Sequence, residues 1–171
     1  MKSLLKYIFL AISGNLFLLA CDLKRDNLLE GDNDIDQRTA QVGYYSHTVV
    51  VDNNDDGIIN NGETVYLLVD LKNSGSKAAM WVEATFSTTS SYASDFAPTT
   101  QVDYSNILAG STQDSFYGVY GYVPTPAHGK YTIKFTVSNT TPDKAKIPID
   151  ISIVDGNGNT WSSSFDVTVQ N

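Results

Sequence analysis

The chain has 171 residues, which is the length of one ordinary domain with short additions. It carries 11 lysines and arginines against 19 aspartates and glutamates, for a formal net charge of −8. This balance argues against binding to nucleic acid and against electrostatic attachment to anionic lipid, while it is compatible with divalent cations.

The first twenty residues have the pattern of an export signal. Two lysines precede an apolar run over residues 7–20, which is shorter than the roughly 20 residues needed to span a bilayer. The run ends at Leu18-Leu19-Ala20-Cys21, which resembles the lipobox of bacterial lipoproteins. The resemblance implies cleavage after Ala20, lipidation of Cys21 and attachment to a membrane that the chain does not cross. An ordinary cleaved signal is the alternative, but the only cysteine would then be a free thiol in an oxidising compartment.

Residues 21–43 are predicted to form a flexible tether. They are rich in Asp and Asn and poor in aromatic and β-branched residues, so they cannot bury enough apolar area to fold. Asp22 follows the lipidated cysteine, a position that resembles the inner-membrane retention signal of enteric bacteria. That rule does not extend to other phyla, and we expect the protein in the cell envelope, at an outer membrane or cell surface rather than an inner membrane.

Over residues 44–171 the apolar residues recur at every second position, which predicts strands rather than helices. The segment Asp155-Gly156-Asn157-Gly158-Asn159 predicts a hairpin turn between the last two strands, and the turn also accounts for its alternating oxygens. The pattern predicts an all-β fold, an Ig-like antiparallel β-sandwich of about seven strands, with a closed barrel as the alternative. Strands are expected near residues 46–51, 65–71, 80–86, 115–123, 131–137, 147–153 and 161–169.

The segment from Asp52 to Glu63 fits the calcium-loop pattern D-x-[DN]-x-[DN]-G-x5-E. Calcium binds about six to eight oxygen atoms, and Gly57 allows the chain to turn around the ion. A polar turn is the alternative, although a turn alone does not require Glu63 at the last position. Ile59 is expected to pack beneath the loop, and the flanking strands favour a structural rather than a regulatory role for calcium. The predicted ligands are the side chains of Asp52, Asn54, Asp56, Asn60 and Glu63 and the main-chain carbonyl of Ile58.

The same region also resembles an Ig-like module of secreted bacterial proteins. In that family a D-x-N-x-D-G-x4-G-E-T stretch, matched by residues 52–64, leads into a strand ending in Lys-Asn-x-Gly, matched by residues 72–75. Weaker matches lie at residues 104–110, 129–131 and 155–156. The resemblance covers about residues 45–170 and implies a calcium-bearing sandwich without catalytic residues. Such modules often accompany the catalytic domains of extracellular peptidases, and here the lipid anchor is expected to provide the attachment.

Candidate ligand-binding residues are aromatic. Trp81 is expected on the strand face opposite Met80 and Val82, and therefore exposed, while Tyr120 and Tyr122 share a face of another predicted strand. Exposed aromatic rings can stack on sugars or anchor a protein partner. The alternative is that these residues only fill the sandwich, because aromatic residues are common in strands.

No catalytic site is expected. The two histidines, His47 and His128, lie in no sequence context that suggests a triad or a zinc site. The sequence therefore predicts a lipid-anchored, extracytoplasmic binding, adhesion or scaffolding module with one structural calcium ion. The alternatives are a carbohydrate-binding surface lipoprotein and an accessory subunit of a secreted hydrolase.

Overall fold

The computed structural model describes residues 38–54, 56–115 and 131–171, and a compact unit spans Arg38–Asn171. Regular secondary structure in these residues consists of strands alone, which confirms the predicted all-β class. The described strands are β1 (Val42–Val51), β2 (Thr64–Asn73), β3 (Ala79–Ser87), β4 (Ala93–Ala97), β5 (Val102–Ile107), β6 (Thr112–Gln113), β7 (Ile133–Val137), β8 (Lys146–Val154) and β9 (Thr160–Thr168).

The strands form two antiparallel sheets. The first has the order β1-β2-β7-β4, with β6 also paired to β2, and the second has the order β5-β3-β8-β9. Every second residue of β2 and β8 is buried, so each sheet turns one apolar face towards the other. This arrangement confirms the predicted sandwich. The β8–β9 hairpin across residues 155–159 is also confirmed.

The core contains aliphatic side chains from both sheets, and removing one such side chain from water stabilises the fold by about 1.5–3 kcal/mol. Tyr104 adds a polar link between the sheets, because its fully buried hydroxyl donates a hydrogen bond to the Val69 carbonyl at 2.9 Å. Burial raises the pKa of the Tyr104 hydroxyl, which therefore stays protonated as a donor. The largest fully buried aliphatic side chains are those of Val65, Leu67, Val69, Leu71, Ile107, Ile133, Ile147, Ile149, Ile151 and Ile153.

The Lys-Asn-x-Gly segment has a structural role at the end of β2. The Asn73 side chain is fully buried, accepts hydrogen bonds from the Gln41 and Gly75 amides, and donates to the Lys77 and Ile107 carbonyls. A Cβ atom at Gly75 would collide with the main chain of Thr39. Val42, at the start of β1, is also buried, so the folded unit begins before residue 44.

The expected core position of Met80 is wrong. A register shift between Ala79 and Val82 inserts one extra residue into β3, and Trp81 has a φ of 54°. As a result Met80 and Trp81 both face outwards, with 38% and 66% of their surface exposed, while Ala79 and Val82 are buried. Alternation resumes through Phe86, as predicted.

Three strands, β4, β5 and β6, were not predicted. β4 and β5 both pair with register shifts that interrupt the two-residue period, and β6 has only two residues. The expected strand at residues 115–123 falls almost wholly in residues 116–130, outside the described residues, and so do Tyr120, Tyr122 and His128. The signal, Cys21 and most of the expected tether also lie outside them.

Candidate functional sites

The first half of the 52–63 loop is organised by the Asp52 side chain. Asp52 is buried, and its carboxylate accepts hydrogen bonds from the Asp56 amide at 3.2 Å and the Gly57 amide at 2.8 Å. Gly57 has a φ of +76°, a conformation that side-chain-bearing residues adopt only with strain. The predicted turn at Gly57 is therefore present, and the Asp52 side chain lies across it.

Two further predicted ligands each accept a hydrogen bond from the main-chain amide two residues later in the same loop. The Asn54 side-chain oxygen accepts a hydrogen bond from the Asp56 amide at 3.1 Å, and Asp56 Oδ1 accepts one from the Ile58 amide at 2.7 Å. These bonds resemble Asx turns, in which a short side chain replaces a main-chain acceptor. Because Asp52 and Asn54 share the Asp56 amide, their oxygens are held on the same short stretch of chain.

Glu63 closes the second half of the loop. Its side chain is only 7% exposed, and Oε2 accepts a hydrogen bond from the Asn60 amide at 2.9 Å. The Asn60 side chain donates to the Ile58 carbonyl at 3.3 Å, so it is next to the predicted main-chain ligand. Asn53 joins the two ends of the loop by accepting a hydrogen bond from the Thr64 amide at 3.1 Å.

The second half of the loop is also attached to the sandwich. Ile59, which was expected to pack beneath the loop, is buried in the core, and its carbonyl accepts a hydrogen bond from the Gln170 amide at 2.8 Å. The Gly62 amide donates to the Val137 carbonyl at 3.0 Å. The loop is therefore connected to the end of β7 and to the chain after β9.

The residues of this loop suit calcium in type, because they offer carboxylate, amide and carbonyl oxygens. One oxygen each of Asp56 and Glu63 already accepts a main-chain N–H, which orients the side chain and leaves its second oxygen without such a bond. In the part of the chain that the structure describes, no three acidic, histidine or cysteine side chains are grouped closely enough to hold a metal ion. The donor set thus fits the ion, while its carboxylates are not gathered around one point.

A second candidate site is a groove of about 440 Å3 on the outer surface of the β5-β3-β8-β9 sheet. The indole of Trp81 lies over Gly156, where an added Cβ atom would be 3.0 Å from the indole ring. Sequence reasoning selected Trp81 but missed Glu83 and Asp103, because their proximity depends on β5, which was not predicted. The groove is lined by Trp81, Glu83, Gln101, Asp103, Val154, Asp155 and Gly156.

Asp155 borders the groove, but its carboxylate is hydrogen-bonded within the β8–β9 hairpin. Its carboxylate accepts hydrogen bonds from the main-chain and side-chain amides of both Asn157 and Asn159. Burial alone would raise the pKa of Asp155, but the hydrogen bonds from Asn159 and Asn157 outweigh it and hold that pKa below its usual value. The polar residues that alternate at positions 155, 157 and 159 therefore stabilise the hairpin turn.

His47 lies away from both candidate sites, in an aromatic cluster. Its Nδ1 is 2.8 Å from the Tyr44 hydroxyl, and its ring is 4.7 Å from that of Phe165. Burial lowers the pKa of His47.

The described residues include no helix long and apolar enough to cross a membrane.

No family model matches the chain, and no curated protein matches it. Among solved structures, the chain is similar to the archaellum periplasmic stator protein FlaG from Sulfolobus acidocaldarius, with 14% identity and a TM-score of 0.34 over 75% of this chain and all of that one. It is also similar to a chain of the FlaF and FlaG complex from the same organism, with 15% identity and a TM-score of 0.32 over 75% of this chain and 90% of that one. Similarity at this level does not indicate a shared function or partner.

Proposed function

We propose that this protein is a lipid-anchored, extracytoplasmic β-sandwich that acts as a binding or scaffolding module at the cell envelope, with calcium stabilising the 52–63 loop. The observation that carries the calcium proposal is the hydrogen bonding of the loop itself. Asp52, Asn54, Asp56 and Glu63 each accept a main-chain N–H from within the loop. Together they place oxygen ligands along a short turn that suits a hard cation.

The proposed role of calcium is structural. The ion would draw the carboxylates of Asp52, Asp56 and Glu63 towards one point, and its positive charge would offset the repulsion that this approach brings. Asn54, Asn60 and the Ile58 carbonyl would complete the ligand set. Ile59 and Gly62 connect the loop to the core and to β7, so ordering of the loop would stabilise the sandwich.

Thermal unfolding of the full chain in a non-ionic detergent tests the calcium proposal. We expect calcium to raise the melting temperature relative to EDTA, and magnesium to raise it less, because magnesium demands stricter octahedral geometry. Glu63→Gln keeps a hydrogen-bond acceptor for Asn60 but removes the charge, and it should abolish the shift. Asp150→Asn, an exposed change on β8, is the matched control and should keep the shift. An equal calcium shift in wild type and Glu63→Gln would contradict the proposal.

The lipid anchor is proposed from the sequence at Cys21. We expect wild-type protein in the membrane fraction, labelled by radioactive palmitate and released by detergent. Cys21→Ser should lose the label and appear in the soluble extracytoplasmic fraction. A variant that remained in the membrane fraction would show that the apolar signal, rather than a lipid, holds the protein there.

A second candidate function is ligand recognition through the exposed Trp81, as in a carbohydrate-binding surface lipoprotein. The observation that favours it is an indole that is 66% exposed beside a groove. A glycan array tests this candidate, with Trp81→Ala and Tyr120→Ala as variants. Binding that both variants retain would argue against an aromatic glycan-binding face.

A further inference from the structure

Trp81 is placed on the surface by a paired irregularity of two strands. β3 carries an extra residue between Ala79 and Val82, and β5 carries one between Ser105 and Asp103. Trp81 and Ser105 both adopt left-handed backbone conformations, with φ of 54° and 57°, which are unfavourable for residues with side chains. The surroundings maintain this geometry, because the Trp81 amide donates to the Asn106 side chain at 2.9 Å and the Ser105 amide donates to Asp103 at 2.6 Å.

Core packing does not explain the position of the indole. Trp81 is 66% exposed, so it gains little from burial, although its backbone is strained. Gly156 leaves the room that the indole occupies, since a Cβ there would be only 3.0–3.1 Å from Trp81 atoms. The Gly156 amide also donates to the Met80 carbonyl at 2.7 Å, which fixes the hairpin turn against the bulge. The strand irregularity therefore presents an aromatic face at a defined place beside the groove.

The groove also contains a like-charge pair. Glu83 and Asp103 are direct partners on adjacent antiparallel strands, an arrangement in which two carboxylates destabilise the sheet. The described residues that line the groove include no lysine or arginine. Among the described residues, none forms an ion pair or hydrogen bond with the Glu83 carboxylate. The Asp155 carboxylate is occupied by its two asparagines, so Glu83 and Asp103 provide the charge that a ligand would meet.

We propose that this groove binds an organic ammonium group, with the Trp81 indole as one wall and the carboxylates of Glu83 and Asp103 as counter-ions. The inference rests on the proposed binding function and names its ligand class. An organic ammonium group can interact with both the indole and the carboxylates of the groove, because indole faces attract cations and carboxylates form ion pairs with them. A neutral sugar would leave the Glu83–Asp103 repulsion in place, and an anion would increase it. The volume of about 440 Å3 is within the range of small-ligand pockets.

Two sources present this chemistry, a choline-type headgroup and a lysine side chain, and calorimetric titrations of the full chain in non-ionic detergent distinguish them. The cationic probes are choline and N-acetyl-lysine amide, and the neutral isosteres are 3,3-dimethylbutanol and N-acetyl-norleucine amide. We expect at least one cationic probe to bind at least about fivefold more tightly than its isostere, because the isostere lacks the charge. The tighter cationic probe identifies the source. Equal affinity for a cation and its isostere, or no binding of either cation, would overturn the proposal.

Variants assign the binding to this groove. Glu83→Gln, which removes charge and preserves shape, should weaken the cationic probe by about fivefold, and Trp81→Ala should weaken it by at least as much. Asp150→Asn on the same sheet is the matched control and should bind as wild type does. Unchanged binding in both groove variants would overturn the assignment. The calcium-dependent melting shift of the wild type is measured in parallel, since a wild type that shows this shift but binds neither cation would refute the groove proposal alone.

Discussion

Substitution of Asp52 shows whether this residue is a calcium ligand or only stabilises the turn. Without calcium, Asp52→Ala removes the acceptor of two main-chain N–H groups, at 2.8 and 3.2 Å. One hydrogen bond to a charged group contributes about 1.5–3 kcal/mol, but here the donors Asp56 and Gly57 are exposed and water replaces the lost acceptor. We therefore expect the free energy of unfolding to fall by about 1–2 kcal/mol in EDTA.

Calcium should enlarge this difference. At a free concentration one hundred times Kd, a ligand that binds only the folded state adds about 2.7 kcal/mol to the free energy of unfolding. Asp52→Ala forfeits that addition, so the difference from wild type should grow to about 4 kcal/mol. Asp52→Asn retains only one of the two acceptor oxygens and lacks the charge, so its stability in EDTA should lie between those of wild type and Asp52→Ala, and in calcium it should be well below wild type.

Urea unfolding at equilibrium, in EDTA and in saturating calcium, measures both differences. The slope of the free energy against urea should stay the same in all proteins, because the surface exposed on unfolding is unchanged. If calcium leaves the difference between wild type and Asp52→Ala unaltered, the loop is a polar turn and the calcium proposal is wrong. If Asp52→Ala has no effect even in EDTA, the hydrogen bonds of Asp52 do not support the loop.

Three further results are expected. Tyr104→Phe removes a buried hydroxyl that joins the sheets and should lower the free energy of unfolding by about 1–2 kcal/mol in urea titrations, whereas the exposed control Tyr45→Phe should change it by less than about 0.5. The folded pKa of Asp155 lies below its unfolded value, so its contribution is present above pH of about 4 and is lost as the pH falls through the folded pKa; the stability gap between wild type and Asp155→Asn should close in acid. Gly62 has a φ of +79°, and Gly62→Ala places a Cβ atom against the side chain of Asn139. It should lower the melting temperature more than Gly158→Ala, where the surrounding space is open.

The sandwich could be predicted because its central strands bury one face and expose the other. In β2 and β8 that alternation is unbroken, and every residue on the inner face except Asn73, at the end of β2, is a large aliphatic. β5 was missed because its period breaks at Ser105, and because only the paired strand β3 reveals that the break is a bulge. A second bulge, with one extra residue in β3 between Ala79 and Val82, moved Met80 outwards, and an alternation rule cannot anticipate such an insertion.

The loop residues could be selected from the sequence because their spacing is short and local. The pattern also placed Gly57 in a turn and Ile59 beneath the loop, since both depend on neighbours in the chain. The groove could not be predicted, because it brings Glu83 against Asp103 and Gly156 against Trp81 from distant segments. Such juxtapositions follow from strand register, which a single sequence does not specify across long connections.

Isothermal titration of calcium into the calcium-free full chain in non-ionic detergent is the most direct test of the calcium site. We expect binding of one ion per chain, loss of that binding in Asp52→Asn and Glu63→Gln, and its retention in Asp150→Asn. The absence of calcium binding in the wild type, or equal binding in all four proteins, would contradict the calcium proposal.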